Sequence, residues 1–314
     1  MKRALFFPGQ GSQQIGMGRE LAAGFASARA VFDEVDDALN QKLSRLMFEG
    51  PPEELTLTEN AQPAIMVTSM AALAVLEKEA GVVPAKFAHF FAGHSLGEYS
   101  ALCAARSLSL ADTARLLKIR GQAMQKAVPE GQGAMAAILG LPEGKMEEVI
   151  AAASTVGVVA VANDNSPEQQ VVSGTKEAVQ RATEEALKAG AKKAVMLQVS
   201  APFHSPLMKP AALVMEEALA RTAMNVPTLP IIANVTAAPV HDPKDIRALL
   251  VRQVYGMVRW RESVQYLAAQ GVESALELGA GKVLSGLVKR IAPGIRMNAI
   301  GTPADIEAFT RVEA

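Results

Sequence analysis

The sequence predicts an α/β protein in which a larger α/β body is interrupted by a smaller inserted unit. Short apolar runs alternate with segments of helical periodicity along most of the chain, which is typical of buried strands connected by helices. Between residues 134 and 199 the order changes to β-α-β-β-α-β, that of a ferredoxin-like unit. The chain has 314 residues, of which 50% are hydrophobic, and this suffices for a large body with an insertion.

The larger body begins with a short apolar run at residues 4–7, which predicts a buried strand. The Gly- and Gln-rich segment FPGQGSQQIGMG then predicts a loop, and apolar residues three and four apart predict one helix over residues 21–39. Residues 63–80 predict a further helix, with Pro63 at a favoured first position. The other elements predicted before the insertion are a strand at 87–92 and helices at 98–105 and 110–127.

The inserted unit is predicted from its alternation of strands and helices. Its elements are a strand at 134–139, a helix at 142–153, strands at 156–162 and 170–173 around the turn-rich segment NDNSPE, a helix at 175–189 and a strand at 193–199. We therefore divide the chain into a larger, α/β-hydrolase-like catalytic subdomain, residues 1–128 and 199–314, and a ferredoxin-like subdomain, residues 129–198. The larger body resumes near Ser200 and adds a strand at 274–278 and a helix at 283–291.

Composition argues against several classes of function. A net charge of −1 gives no reason to expect nucleic acid or an anionic membrane as a partner, and no stretch approaches an uncharged membrane span. The single cysteine, Cys103, lies among apolar neighbours as in a core and suits a reducing compartment, so we expect a cytoplasmic protein. No His, Cys, Asp or Glu cluster has metal-ligand spacing, and Gln14 interrupts the glycine pattern that a dinucleotide fingerprint would need.

The segment GHSLG, residues 93–97, places Ser95 in a G-x-S-x-G pattern between a predicted strand and a predicted helix. In that setting a sharp turn lifts the serine oxygen clear of the sheet, and the flanking glycines avoid a steric collision. The backbone N–H of Leu96, at the start of the helix, then points to where an oxyanion would form. A simple Gly-rich turn is the alternative interpretation.

A nucleophilic serine needs a base, and the chain has four histidines. We favour His204, because it lies in a loop just ahead of a helix that begins at Pro206 and that Ser205 can cap. The order of serine before histidine is that of α/β-hydrolase-like enzymes. For the third member, Asp164 is either an acid or a turn-forming residue, and a main-chain carbonyl would also serve. The weaker histidines are His89 within a predicted strand, His94 beside the serine and His241 in a polar loop.

Arg120 lies in the apolar stripe of the helix predicted at residues 110–127. Its neighbours one turn away are apolar, whereas the other basic residues of that helix share a solvated face. A buried guanidinium without an anion is costly, so Arg120 either forms a structural ion pair, or snorkels, or receives its anion from a substrate. A planar guanidinium matches a carboxylate through two parallel hydrogen bonds.

Seven segments, collinear over nearly the whole chain, are together far more specific than one G-x-S-x-G pattern. They resemble the malonyl-CoA:acyl carrier protein transacylase family in FPGQGSQ, LTENAQPA, GHSLGEY, RGQAMQ, FHSPLM, VRWRESV and ELGAGKVL. The resemblance implies that Ser95 is the acylated nucleophile, His204 its base and Arg120 the clamp for the malonyl carboxylate. It also implies an oxyanion hole formed by Gln10, through its side chain or backbone, and by the backbone N–H of Leu96.

Three further positions match the family. The backbone carbonyl of Gln253 would orient the histidine in place of an acid, and Asn163 would line the site. Phe203 is similar to the bulky residue of malonyl-selective members, whose ring would crowd a substituent on the acyl α-carbon. The chain departs from the family at Ala201-Pro202, where Gly-Ala is more usual, and proline stiffens the loop that carries Phe203.

The activity that the resemblance implies is ping-pong transfer of a malonyl group from malonyl-CoA to the phosphopantetheine thiol of acyl carrier protein. A malonyl-serine would be the intermediate, no metal or redox cofactor would be needed, and the product would supply extender units for fatty acid synthesis. We expect a monomer, with an acidic carrier received by a basic patch at Arg259, Arg261, Lys289 and Arg290. Two rival functions are a serine esterase or thioesterase, which passes the acyl group to water, and a non-catalytic carrier-binding module.

Overall fold

The computed structural model describes residues 1–199 and 201–313 and contains two β-sheets with helices packed against them. The strands are β1 (Lys2–Phe7), β2 (Phe90–Gly93), β3 (Gly133–Leu139), β4 (Val159–Ser166), β5 (Gln169–Thr175), β6 (Lys193–Met196), β7 (Ile231–Ala233), β8 (Ala238–Val240), β9 (Val272–Leu278) and β10 (Arg296–Ile300). This architecture confirms the predicted α/β fold class. The predicted restart of the larger body near Ser200 lies outside the described residues.

The helices account for most of the remaining chain. They are α1 (Arg19–Gly24), α2 (Ala26–Leu39), α3 (Leu43–Glu49), α4 (Pro52–Thr56), α5 (Thr58–Glu79), α6 (Pro84–Phe87), α7 (Gly97–Ala104), α8 (Leu110–Lys126), α9 (Met146–Ala153), α10 (Lys176–Lys188), α11 (Lys209–Arg221), α12 (Pro243–Tyr255), α13 (Trp260–Ala269), α14 (Val283–Ile291) and α15 (Pro303–Glu313). A short 3₁₀ helix, Pro206–Met208, precedes α11.

The six-stranded sheet has the order β10-β9-β1-β2-β7-β8, and all neighbours except β7 and β8 pair in parallel. The central strand β1 is almost continuously apolar because it is covered on both faces: Leu5 and Phe7 join one core, and Ala4 and Phe6 join a second. The loops that follow β1, β2 and β7 meet at one carboxyl edge of the sheet. Parallel α/β sheets place their sites at this edge.

The four-stranded sheet has the order β4-β5-β3-β6, and each of its pairs is antiparallel. Helices α9 and α10 contribute to a separate core with this sheet, which includes Ile138, Val149 and Val172. The elements follow one another as β3-α9-β4-β5-α10-β6, which is the predicted ferredoxin-like order. They lie within residues 129–198, and the division into subdomains at those boundaries stays a prediction.

Backbone pairing joins the segment between α12 and α13 to the edge strand β4 of the smaller sheet. The N–H of Val258 donates to the carbonyl of Ala162 at 2.8 Å, and the N–H of Asp164 donates to the carbonyl of Val258 at 3.0 Å. Arg261 adds an ion pair, with its Nε 2.8 Å from Asp164 Oδ2. The segment that leads into α13 therefore extends the edge of the smaller sheet.

Two helix predictions near the N-terminus are wrong in their boundaries. The helix predicted over residues 21–39 is two helices, because Phe25 between α1 and α2 is extended, with φ of −133°. Helix α5 begins at Thr58, so Pro63 lies inside the helix and not at its first position. Burial of the early turns of α5 against the core outweighs the local preference of proline for a helix start.

The turn predicted at NDNSPE is confirmed only for its last two residues, Pro167 and Glu168, and is wrong for the four before them. Strand β4 continues through Ser166, so Asn163 and Asp164 are strand residues and both are buried. Their partners are β5 on one side and Val258 on the other. A local sequence pattern contains no sign of a partner as distant as Val258, and the polar residues were therefore assigned to a turn.

The larger core contains Cys103, whose burial confirms its assignment as a core residue. Helices α5, α7 and α8 pack together in this core beside β1 and β2. Across residues 1–199 and 201–313, no helix combines the length and the apolarity that crossing a membrane requires.

Close packing of α8 on α5 requires glycine at position 121. A Cβ atom at Gly121 would lie 2.5 Å from the Cα of Glu59, whereas a Cβ at Gly286 of α14 would meet nothing within 4 Å. We expect Gly121→Ala to lower the free energy of unfolding by about 1–3 kcal/mol through overpacking. Gly286→Ala, the matched helical control, should raise it by about 0.5–1 kcal/mol. Urea unfolding of both variants checks this, and equal stability of the two would contradict it.

Candidate active site

Ser95 lies in the tight turn between β2 and α7, and its backbone is left-handed, with φ of 54°. A Cβ atom at Gly93 would lie 1.9 Å from the carbonyl oxygen of Gly97, and one at Gly97 would lie 2.2 Å from that of Phe7. Only glycine therefore fits at positions 93 and 97. A left-handed non-glycine residue costs about 1–3 kcal/mol and persists only where its surroundings hold it.

His204 lies in the loop before the 3₁₀ helix, with its Nε2 2.8 Å from Ser95 Oγ. Its Nδ1 lies 2.8 Å from the backbone oxygen of Gln253 and 3.2 Å from that of Gly256. Because carbonyl oxygens only accept hydrogen bonds, Nδ1 carries the ring proton and Nε2 is left to accept the proton of the serine hydroxyl. Main-chain carbonyls therefore occupy the place that an acid takes in other serine sites.

Burial determines the protonation state of His204. Its pKa is lowered from 6.5 to about 3, mainly by desolvation and further by the positive charge of Arg120. The hydrogen bonds to the carbonyls of Gln253 and Gly256 oppose the shift without reversing it. The imidazole is therefore neutral at physiological pH, which is the form that a general base requires.

Arg120 is buried beside the serine, with 1% of its surface exposed. Its Nη2 donates to Ser95 Oγ at 3.0 Å and to Gln253 Oε1 at 2.8 Å, and its Nη1 donates to Gln62 Oε1 at 2.8 Å. These partners are neutral, and Arg120 Nε is buried without a partner among the described residues. The structural ion pair and the snorkelling side chain that the sequence left open are thus both wrong. The guanidinium retains its capacity for an anion.

A cavity of about 530 Å³ opens over these three side chains. Its wall is largely apolar and combines helices and loops of the larger body with strands of the smaller sheet, with Met124 from α8, Met135 from β3 and Val171 from β5 among the lining residues. The cationic head of Arg120 therefore faces a mostly apolar space, in which an anion would be strongly attracted.

Of the other predicted site residues, Gln10, Asn163 and Phe203 line this cavity and Leu96 directly follows Ser95, although their roles stay predictions. Gln10 lines it and is exposed, and its Nε2 lies 3.4 Å from Thr58 Oγ1. Leu96 is the residue before the first turn of α7, where N–H groups lack acceptors within the helix. Asn163 and Phe203 are buried and contribute to the lining.

Asp164 and Ser205 do not have the roles that the sequence suggested for them. Asp164 pairs with Arg261 and not with His204, so it is neither the third member of a triad nor a turn residue. Ser205 does not cap the following helix, because its Oγ donates to the carbonyl of Pro202 at 2.7 Å.

The remaining histidines do not contact Ser95 Oγ in the described part of the chain. His94 Nε2 is hydrogen-bonded to Asn165 Oδ1 at 2.8 Å. His89 precedes β2 instead of lying within it, and its Nδ1 accepts from the N–H of Arg3 at 3.4 Å. His241 is exposed, as predicted for a polar loop.

The basic patch expected for a carrier protein is divided by internal ion pairs. Arg259 Nε lies 2.8 Å from Glu262 Oε1, and Arg261 pairs with Asp164. Lys289 and Arg290 are exposed in the last turn of α14. Lys289 and Arg290 therefore fit a surface that receives a carrier protein better than Arg259 and Arg261 do.

Three polar residues of the site were missed by sequence reasoning. Gln62 accepts a hydrogen bond from Arg120. Glu98 accepts from the backbone N–H of Asn234, whose side chain accepts from the N–H of Ser95. Each carried a signal that was available. Gln62 and Glu98 stand inside two of the family-like segments, and Asn234 directly follows the apolar run of β7, where α/β sheets place functional side chains.

Known proteins resemble this chain over nearly its whole length. Residues 5–292 match the model of the acyl transferase domain family. A malonyl CoA-acyl carrier protein transacylase from Bacillus subtilis is 48% identical over 309 residues, which cover 98% of this chain and 95% of the relative.

Two solved structures are similar over almost the full length. The crystal structure of an acyl-carrier-protein-S-malonyltransferase from Bartonella henselae has a TM-score of 0.97 and 54% identity, and the match covers 99% of each chain. A malonyl-transacylase in complex with its type II PKS acyl-carrier protein has a TM-score of 0.95 and 40% identity, covering 99% of this chain and 100% of that chain. The geometry described above is therefore that of a fold shared with these enzymes.

The lowered pKa of His204 predicts an unusual pH dependence for modification of Ser95. A histidine with the ordinary pKa of 6.5 would be half protonated at that pH, whereas His204, with a pKa of about 3, stays neutral there. We expect the second-order rate of Ser95 labelling by a fluorophosphonate to be nearly the same at pH 7 and at pH 6, and to fall only under strongly acidic conditions. Labelling reactions quenched at successive times and analysed by mass spectrometry give this rate. A rate that halves near the ordinary pKa would contradict the prediction.

Proposed function

The chain belongs to the acyl transferase domain family, and from this premise we propose that it transfers a malonyl group from malonyl-CoA to the phosphopantetheine thiol of acyl carrier protein. The observation that carries the proposal is the buried Arg120, whose Nη2 lies 3.0 Å from Ser95 Oγ and whose neutral partners leave its charge for a substrate carboxylate. We place the reaction in the cytoplasm, where it supplies extender units for fatty acid synthesis.

The first half-reaction acylates the serine. His204 Nε2 accepts the hydroxyl proton as Ser95 Oγ bonds to the thioester carbon, and the carbonyl oxygen becomes an oxyanion. The N–H of Leu96 and Gln10 are the proposed donors to that oxyanion. When the tetrahedral intermediate collapses, the carbon–sulfur bond breaks and coenzyme A leaves with the proton from His204.

The second half-reaction reverses these steps with a new thiol. The phosphopantetheine thiol gives its proton to His204 and attacks the malonyl ester, so that a thioester forms and the bond to Ser95 Oγ breaks. The serine oxygen recovers its proton from His204. A neutral histidine with its Nδ1 held by carbonyls serves both directions, because only Nε2 exchanges protons.

Selection of the acyl group follows from the charges and shape of the cavity. The guanidinium of Arg120 offers the malonyl carboxylate its charge and the N–H donors that Gln62, Gln253 and Ser95 leave free, and an acyl group without a carboxylate would leave that cation unpaired. Phe203 is the proposed barrier to a substituent on the α-carbon, and Asn163 the proposed polar neighbour of the acyl chain. Both lie in the cavity lining.

Dependence on the carrier distinguishes transfer from hydrolysis. We expect rapid release of about one equivalent of coenzyme A when malonyl-CoA is mixed with the protein alone, followed by steady turnover only after holo carrier protein is added. Ser95→Ala should abolish both phases, and mass spectrometry should locate the malonyl group on Ser95. Steady turnover without carrier would instead identify a thioesterase, and absence of the malonylated serine would identify a non-catalytic module.

Substitution of Arg120 tests the selection of malonate. We expect Arg120→Ala to lower kcat/KM for malonyl transfer by about 10²-fold or more, as for loss of one partner of a buried charged pair. Transfer of acetyl from acetyl-CoA should be retained or increased, since no carboxylate needs the cation. Arg120→Lys keeps the charge without the planar fork, so its kcat/KM for malonyl transfer should lie between those of the wild type and Arg120→Ala. An equal loss for malonyl and acetyl would make Arg120 a structural residue only.

A further inference from the structure

A buried amide holds the turn that carries Ser95. Asn234 directly follows β7 and is 1% exposed. Its Oδ1 accepts from the N–H of Ser95 at 2.7 Å, and its Nδ2 donates to the carbonyl of Gly93 at 2.7 Å. One side chain therefore bonds the backbone on both sides of His94. Because Asn234 occupies the N–H of Ser95, that group does not serve an oxyanion, which leaves the N–H of Leu96 as the proposed donor from the turn.

A buried carboxylate holds Asn234 in turn. Glu98, in the first turn of α7, is 2% exposed, and its Oε2 accepts from the N–H of Asn234 at 3.1 Å and from Nε2 of Gln253 at 2.8 Å. The same Nε2 donates to the carbonyl of Ser95 at 2.9 Å. Glu98 thus links α7, the residue after β7 and α12, which are the three segments that converge on Ser95.

We propose that Asn234 and Glu98 are positioning residues that hold Ser95 in the left-handed conformation from which its Oγ reaches both His204 and Arg120. A strained residue persists only when its neighbours over-determine it, and here both backbone polar groups of Ser95 are bonded to this network. The inference rests on the proposed function only for the identity of the acyl donor, since any electrophile attacked by Ser95 Oγ needs the same geometry.

Two pairs of variants separate hydrogen bonding from charge. Glu98→Gln keeps an oxygen that can accept from both Asn234 and Gln253 but removes the charge, whereas Glu98→Ala removes the acceptor. Asn234→Asp keeps the acceptor for Ser95 but opposes an oxygen to the carbonyl of Gly93, and Asn234→Ala removes both bonds. Within each pair the two variants differ by a few atoms. A positioning role therefore predicts that the rate of Ser95 labelling falls in steps as hydrogen bonds are removed.

Asp36 provides a matched control outside the site. It is a buried carboxylate of α2 whose Oδ1 and Oδ2 accept from the N–H and the hydroxyl of Ser44 at 2.8 Å and 2.7 Å. Asp36→Ala therefore removes two comparable hydrogen bonds from the interior. It should lose stability while Ser95 reacts at the wild-type rate.

The experiment measures the second-order rate of Ser95 labelling by a fluorophosphonate, and kcat and KM for malonyl transfer, on the full chain after thermal unfolding confirms a folded variant. In labelling, Ser95 Oγ bonds to phosphorus, fluoride leaves, and the serine proton passes to His204. We expect Glu98→Ala and Asn234→Ala to slow labelling and to lower kcat about 10²-fold with little change in KM, as for a misplaced reacting group. Glu98→Gln should stay within about tenfold of wild type, and Asn234→Asp should be slow.

Wild-type labelling rates in folded Glu98→Ala or Asn234→Ala would overturn the proposal, as would Glu98→Gln and Glu98→Ala slowed to the same extent. If the alanine variants do not fold, a slow Asn234→Asp beside a fast Glu98→Gln supports it, and two fast variants overturn it. The labelling reagent carries no malonyl group. A wild-type protein that is labelled but transfers no malonate would therefore contradict the proposed function while the variant series still decides the positioning role.

Discussion

Burial of a guanidinium beside the serine is the constraint on which the rest of the site depends. Charge removed from water is costly unless it is hydrogen-bonded, and here amide oxygens of Gln62 and Gln253 supply the bonds without cancelling the charge. The same cation lowers the pKa of His204. A carboxylate bound to Arg120 would offset that effect and make His204 a stronger base, so the acyl group that the cavity selects would also assist its own transfer.

The fold brings the reacting groups together by ending strands of the larger sheet at one edge and by pairing the segment before α13 with β4 of the smaller sheet. Ser95 follows β2 and Asn234 follows β7, so parallel register sets their separation. The carbonyls that hold His204 belong to Gln253 and Gly256, and two residues later Val258 pairs with β4 of the smaller sheet. The smaller sheet therefore supports the orientation of the base as well as lining the cavity.

Sequence patterns predicted the parts of this site that depend on local order. The glycines around Ser95 signalled a tight turn, and Arg120 was recognised because a cation in an apolar stripe has no local explanation. The assignment of Asp164 failed because its strand is completed by Val258, whose pairing no local pattern reveals. Resemblance alone pointed to Gln253, since a backbone carbonyl leaves no mark in side-chain chemistry, and the helix start at Thr58 depended on burial against the core.

Neutral main-chain carbonyls bonded to His204 suit a cavity that contains the cation of Arg120 and has to bind a substrate carboxylate. A carboxylate in that place would stand near Arg120 as well as near the base, because both side chains contact Ser95 Oγ. It would compete with a substrate carboxylate for the guanidinium and repel it at close range in an apolar cavity. The carbonyls of Gln253 and Gly256 fix the ring tautomer without adding an anion. Orientation of the base and recognition of an anionic acyl group are thus compatible within one small volume.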